Sequence, residues 1–292
     1  MYELTQVASH TYYIQSPAKI GLYVDEAGNA TLIDTGNDKE AGRKINQHLK
    51  SNNWTLKAII NTHSNADHIG GNAFLQQRAD CEVLSTEIEN LYAKYPHLEP
   101  SFLYGGYPPA PLRNKFLMAQ PCVPTGNITQ SVPDGFEVIP LLGHYFDMIG
   151  VRTPDDILFL GDCLSGAAIV EKYHVNFIYD VGKYLETLDM IETLSAKLYI
   201  PAHAEPAEEI RALAALNRDK VREIIALIVD FCGEEQTTEE LLKRVFDHYG
   251  LHMDFNQHVL VGSTVRSYLA YLLDNGRVAA SFEGNRLTWK RV

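Results

Sequence analysis

The sequence predicts an α/β fold that gives way to a helical, winged-helix-like C-terminal part. Two patterns carry this prediction. Short strand-like and helix-like segments alternate from Ile20 to Leu84, which indicates layered sheets and helices. After Pro206 the pattern becomes almost purely helical. Ile210, Leu213, Leu216, Ile224, Ile225 and Ile228 recur at near-helical spacing, and the chain ends in a short hairpin. Residues 1–205 are therefore expected to form one domain and residues 206–292 a second. Two domains also follow from 292 residues at roughly 150 each.

Taken in order, Ile20–Val24 and Thr31–Asp34 read as strands joined by the turn Glu26-Ala-Gly-Asn29. Asp38 is the expected N-cap of a helix over Lys39–Leu49, with Ile45 and Leu49 on one face. Leu56–Asn61 reads as a buried strand, Gly71–Gln77 as a helix and Cys81–Leu84 as another strand. Composition then shifts, because eight of the thirteen prolines fall between Pro96 and Pro133, among Phe102, Tyr104, Tyr107 and Phe116. Proline interrupts helices and ladders, so 96–133 is expected to be a mostly irregular insert. It is either a lid suited to a partly apolar substrate or a packed surface excursion.

Strands resume at Phe136–Leu141, Ile157–Leu160 and Lys197–Ile200, with a helix near Lys183–Leu194. In the C-terminal part, Thr237-Thr-Glu-Glu240 opens a second helix carrying Leu241, Leu242, Val245 and Phe246. A third helix runs over Gln257–Leu273. Val278–Phe282 and Leu287–Trp289 pair as the hairpin, or wing.

Composition excludes several classes. Hydrophobic residues at 46% and charged residues at 21% are ordinary for a folded domain, and exclude a disordered chain or a collagen-like fibre. A net charge of −12 disfavours broad electrostatic capture of nucleic acid. The richest apolar run, Ile224–Val229, is far shorter than the ~18 residues of a membrane helix. Met1-Tyr-Glu-Leu-Thr-Gln-Val has neither a basic nor an apolar leader region. Cys81, Cys122, Cys163 and Cys232 lie far apart, against a disulfide framework or a cysteine zinc knot. A cytoplasmic protein with no membrane contact is expected.

The chemistry concentrates in Asn61-Thr-His-Ser-Asn-Ala-Asp-His-Ile-Gly-Gly71, between a strand and a helix. His63, Asp67 and His68 are the donor types that zinc, iron or manganese accepts. Gly70-Gly71 let the backbone pass close beneath them. Gly143-His144, Gly161-Asp162 and Pro201-Ala-His203 add isolated complements, each just after an expected strand.

Together these segments resemble the metallo-β-lactamase superfamily. Thr62–His68 with Gly70-Gly71 is similar to its T-H-x-H-x-D-H-x-G-G signature. Gly143-His144 with Ile149-Gly150, Phe159-Leu-Gly-Asp162 and Pro201-Ala-His203 are similar to its later elements, in order, across residues 20 to 205. The resemblance implies an αβ/βα sandwich with a site at one edge. The C-terminal part looks like that of winged members related to β-lactamase-like protein 2 and to glyoxalase II. By the same resemblance, His63 and His144 would bind one metal, Asp67, His68 and His203 a second, and Asp162 would bridge them. One or two divalent ions are implied, zinc first, with iron or manganese as alternatives. Asp67 and Asp162 would be catalytic in that they hold the metal-bound hydroxide that attacks the substrate.

Two departures stand out. Asn65 replaces the signature's second histidine, which weakens site 1 or tunes it toward an oxygen-preferring ion. Tyr145-Phe146-Asp147 stands where the family has Ser-Pro-Gly, so Asp147 is either a supplementary ligand or an exposed loop residue. Cys163 beside Asp162 reads as a buried small residue rather than a nucleophile. Tyr173, His174 and Tyr179 follow the Asp162 strand and are candidate substrate-facing residues.

The function expected is hydrolysis of a small ester, thioester or lactone. The alternatives are an endoribonuclease or other phosphodiesterase, and a degenerate, non-enzymatic binding protein. Residues 206–292 carry a net charge of −2 and 1–205 a net of −10, so neither part offers a basic footprint. A small-molecule substrate and a homodimer are the expected partners.

Overall fold

A computed structural model describes residues 2–292; Met1, the first residue of the segment read as lacking a leader, lies outside them. The chain divides into two compact units. Met1–Leu141, Phe146–Ser165 and Leu194–Ile210 make the first, and Leu142–Tyr145, Gly166–Thr193 and Arg211–Val292 the second.

The first unit is built on two sheets. One runs in the order β1 (Leu4–Gln6), β2 (Thr11–Ile14), β3 (Ile20–Val24), β4 (Asn29–Ile33), β5 (Thr55–Ile60), β6 (Glu82–Ser85), β7 (Gly126–Asn127). Its first four strands are antiparallel and the pairs from β4 onward parallel. The other sheet contains β8 (Glu137–Pro140), β9 (Ile149–Arg152), β10 (Ile157–Ser165) and β11 (Leu198–His203), in the order β11-β10-β9-β8. Apolar residues pointing from both sheets meet in one core: Ile33 and Ile60 from the first, Val151, Phe159 and Ile200 from the second. Gly21 lies under the Phe159 ring so closely that a Cβ there would stand 2.7 Å from it.

The opposite face of the first sheet buries Leu22, Leu32 and Ile59 against α1 (Lys39–Ser51) and α3 (Asn72–Gln76), through Ile45, Leu49, Phe74 and Leu75. Each such side chain contributes about 1.5–3 kcal/mol by leaving water. Asp38 caps α1 as its position predicts, accepting from the backbone N–H groups of Glu40 and Ala41. The expected helix over Gly71–Gln77 is preceded by a separate turn, α2 (Ala66–Ile69), and α4 (Glu87–Lys94) follows β6.

The 96–133 segment is more regular than its prolines suggest. It contains α5 (Leu98–Tyr104), a 3-10 turn at Ala110–Leu112 and β7. Pro100 sits in the first turn of α5, where no intrahelical N–H is required, so the helix tolerates it. Leu112, Leu117 and Cys122 anchor the segment, whereas Tyr107 and Phe116 are exposed.

The second unit contains α6 (Ala167–Tyr173), α7 (Val181–Ile191), α8 (Arg211–Phe231), α9 (Thr238–Tyr249), α10 (Phe255–Asp274) and an antiparallel hairpin of β12 (Val278–Glu283) and β13 (Arg286–Arg291). Thr237 and Glu240 form a capping box at the start of α9. Most of the periodic apolar residues predicted for this part are buried, among them Ile224, Ile228, Leu241, Leu242 and Val245, while Leu213 and Leu216 are half-buried.

All four cysteines are free and buried, Cys81, Cys122 and Cys163 in the first unit and Cys232 in the second. Among the described residues, no helix is long and apolar enough to cross a membrane.

Candidate metal centre

The chain after β5 turns sharply because Gly70 and Gly71 allow it. A Cβ on Gly70 would lie 2.2 Å from the Asn37 carbonyl carbon, and one on Gly71 2.5 Å from the Thr35 oxygen. This close approach holds α2 against the loop that follows β4. Asp67 and His68 therefore project from a fixed turn. Asp162 comes from inside β10, which extends beyond its expected end, and His203 from the last position of β11.

These four residues converge within the first unit. One donor atom from each of Asp67, His68, Asp162 and His203 lies within 4.8 Å of all the others. His203 Nε2 is 3.2 Å from Asp162 Oδ2 and 3.4 Å from Asp67 Oδ2. His68 Nε2 is fully buried and stands 2.9 Å from Asp162 Oδ1 without hydrogen-bond geometry. His63 is buried beside it, the two ring centroids 4.1 Å apart.

The remaining ring nitrogens are committed. His68 Nδ1 donates to Asp34 Oδ2 at 2.7 Å, and His203 Nδ1 to the Pro17 carbonyl at 3.0 Å. Thr62 Oγ1 gives its single proton to Asp34 Oδ2 at 2.7 Å, so at 3.0 Å it accepts from His63 Nδ1. Each imidazole is thus oriented through Nδ1, so that Nε2 is the atom a metal would engage on losing its proton.

The electrostatics favour a cation. Burial works against a charged His68, but Asp162, Asp34 and Asp67 outweigh it and hold the imidazole well above its usual range. His203 is likewise pushed up to about 10, burial being overcome by Asp162 and Asp67. Burial would raise Asp67, yet His68 and the His203 hydrogen bond hold its carboxyl at about 2. Asp162 is held well below the carboxylate range, with burial overridden by His203 and His68. Two ionised carboxylates facing imidazoles that they hold protonated are a donor set in which a divalent ion would take the place of the Nε2 protons.

The other predicted residues are placed differently. His144 belongs to the second unit, where its Nδ1 donates to the Phe177 carbonyl at 3.0 Å. Tyr173 and Tyr179 are partly exposed in the same unit. The backbone N–H of Tyr179 donates to the carbonyls of Gly143 and His144. His174 adopts φ 55 and ψ −50 at the end of α6, its ring stacked on Tyr249 at 4.5 Å. Asp147 is exposed and its backbone N–H donates to Glu89. Burial, with Asp162 beside it, raises the Cys163 thiol far above neutrality, which disfavours its thiolate.

Four contributors escaped the sequence reading. Asp34 is buried at positive φ and serves Thr62 and His68 together. Lys19, also buried, donates Nζ to the Ala204 carbonyl at 2.6 Å and so braces the strand end that carries His203. Glu89 accepts from Ser64 N at 2.9 Å, Ser64 Oγ at 2.6 Å and Asp147 N at 2.9 Å; burial pushes its carboxyl up to about 7. Glu99 accepts from Asn65 Nδ2 at 2.8 Å, and burial raises its carboxyl well above the usual range. Only an acid inside an apolar strand context, as at Leu32-Ile-Asp34, offered a signal that sequence reading could have used.

The family model for the metallo-beta-lactamase superfamily matches residues 15–203. A hydroxyacylglutathione hydrolase from Haemophilus ducreyi is 28% identical over 193 residues, 65% of this chain and 70% of that protein. A second protein of that name, from Bradyrhizobium sp., is 49% identical over only 45 residues, so the chain spans 17% of its length. Among solved structures, a beta-lactamase domain protein from Burkholderia ambifaria superposes with a TM-score of 0.74 at 17% identity, covering 99% of this chain and 94% of that one. A metallo-beta-lactamase family protein from Thermus thermophilus gives 0.71 at 18% identity, covering 99% and 98%. With the two-sheet core, the His/Asp cluster able to hold a metal ion and these matches in agreement, the chain belongs to the metallo-beta-lactamase superfamily and has its mixed α/β fold, extended by a C-terminal helical region.

Proposed function

We propose that the protein is a metal-dependent hydrolase of a small ester, thioester or lactone, with a thioester the first choice. The observation that carries this reading is the convergence of Asp67, His68, Asp162 and His203, one donor atom of each within 4.8 Å of all the others, with His68 and His203 each held by an acceptor at Nδ1. In this reading Asp67, His68 and His203 hold one ion, zinc in the first instance. His63 would serve a second, weaker position together with Asp162. When bound, a divalent ion supplies Lewis acidity and a nucleophile at neutral pH.

The chain's own residues do the rest. Asp34 fixes His68 and, through Thr62, His63. Asp162 and Asp67 set the charge balance. Tyr173, His174 and Tyr179 are proposed to meet the substrate, and residues 1–205 to carry the chemistry. The thioester preference draws on the hydroxyacylglutathione hydrolase among the relatives. A small substrate is favoured over RNA because Arg286, one of the few basic residues near the hairpin, is engaged by Glu240 at 3.0 Å. A cytoplasmic setting suits four free, buried cysteines.

The test is metal content per chain on protein prepared without chelator or affinity metal, together with hydrolysis of a hydroxyacyl-glutathione thioester. Bound divalent metal, turnover lost on chelation and turnover restored by metal are expected. Metal-free protein that hydrolyses no ester, thioester or lactone after reconstitution would remove the reading.

A further inference from the structure

The hairpin of β12 and β13 leaves one of its edges open. Gly284 and Asn285, at φ 56 and φ 61, form the two-residue turn that joins Glu283 to Arg286. Trp289 opposes Ala280, yet its N–H and C=O both turn away from β12, to Gln236. Ala280 and Trp289 are therefore a non-hydrogen-bonded pair. By the alternation of an antiparallel ladder, the N–H and C=O of Ala280, and of Phe282 two residues on, point away from β13. Among the described residues no strand lies beyond β12. Val278 is closed off at 1% exposure, whereas Phe282 stands open at 77%. The open stretch thus runs from Ala279 to Glu283, and it holds no proline, lysine or bulge of the kind that guards an edge. Arg277 and Glu283 flank it, both exposed, and neither forms an ion pair among the described residues.

We propose that this edge is a dimerisation surface whose occupant is β12 of a second copy of this chain, paired antiparallel about a two-fold axis at Ser281. The register follows from the open groups. With the axis at Ser281, Ala280 lies opposite Phe282 of the second copy and Phe282 opposite its Ala280. Every outward N–H and C=O of these residues then finds a partner. On that face the exposed ring of Phe282 covers the small side chain of Ala280 and leaves water. On the other face Glu283 lies opposite Ala279 of the second copy and diagonal to its Arg277, within reach of a long side chain. The two-fold makes this pair twice. An axis one residue earlier, at Ala280, would need the closed edge of Val278. The surface is self-complementary in hydrogen bonding, in shape and in charge, as a two-fold interface must be. An arbitrary extended peptide would pair with the edge but leave Arg277 and Glu283 unmatched.

The inference does not depend on the hydrolase reading. Full-length wild type, Arg277→Glu, Glu283→Arg and Ala280→Pro are compared by sedimentation velocity from micromolar to near-millimolar concentration. The paired surface is small, so the wild type is expected to dimerise reversibly rather than as an obligate pair. Each charge variant sets like charges across the axis and should weaken association about ten-fold. In an equimolar mixture of the two charge variants, an acidic edge faces a basic one, and a heterodimer of wild-type affinity is expected. Ala280→Pro removes one outward N–H without touching the bonds to β13, and should abolish the dimer. A wild type that stays monomeric throughout overturns the proposal and leaves the edge to a different partner strand. A dimer indifferent to all three variants overturns it in favour of another face. A mixture no tighter than either charge variant alone overturns the two-fold pairing itself.

Discussion

The surroundings of Asp67 and of Asn65 are built on different principles. On the Asp67 side, ionised carboxylates and imidazoles face one another directly, and each histidine is oriented by a single acceptor, Asp34 or the Pro17 carbonyl. On the Asn65 side, a neutral amide and a serine are held from behind by two buried acids, Glu99 and Glu89. The first side gathers its charge at the centre, whereas burial pushes the acids behind the second toward their neutral forms.

The comparison is broken most directly by removing one residue from each side. Asp67→Ala is expected to lose the tightly held ion and to lower turnover roughly thousand-fold, since even residues behind a ligand are worth about 10- to 100-fold. Asn65→Ala should lower it about ten-fold or less. Metal content and kcat measured on both variants check this, and equal losses would mean that the two sides are equivalent.

Asp34 spans the comparison, because it orients His68 directly and His63 through Thr62. Asp34→Asn should weaken metal binding about 10- to 100-fold on both sides together. Competition with a chelator of known affinity reads this out. A loss confined to one ion would show that the Thr62 link carries nothing.

The smallest effect belongs to Glu89. Its folded carboxyl is raised to about 7 from an ordinary 4.5, so the folded state binds the extra proton. Its contribution to stability is therefore present at low pH and is lost as pH rises from about 4.5 through 7. Glu89→Gln removes that titration. Thermal unfolding should show the wild type losing a few degrees relative to the variant between pH 5 and pH 8, roughly what one or two kcal/mol moves a chain of this size. Parallel Tm curves would contradict it.

Sequence reading reached some parts of this design and missed others for a physical reason. The Thr62–Gly71 turn was legible because its donors and its two close-approach glycines lie within one decapeptide. Asp162 and His203 were legible because each follows a recognisable apolar run, although β10 continues past Asp162 to Ser165. Asp34, Glu89 and Glu99 act on residues 25 to 34 positions away, contacts that only tertiary folding creates. The helix carrying Glu99 was hidden by Pro100, whose place in a first turn leaves helical geometry intact. The short edge strands Leu4–Gln6 and Thr11–Ile14 carry too little apolar alternation to stand out, and are ordered by pairing with β3 and with each other.

The four buried thiols give the molecule an internal clock. A maleimide or disulfide reagent reaches a buried sulfur only when the surrounding structure opens, so the labelling rate reports the free energy of that opening. Cys163 sits next to Asp162, while Cys232 closes the helix of the second unit that ends at Phe231. Mass spectrometry of the two peptides would time the opening of each unit separately in one sample. Added metal would slow the Cys163 clock and leave that of Cys232 unchanged if the two units open independently.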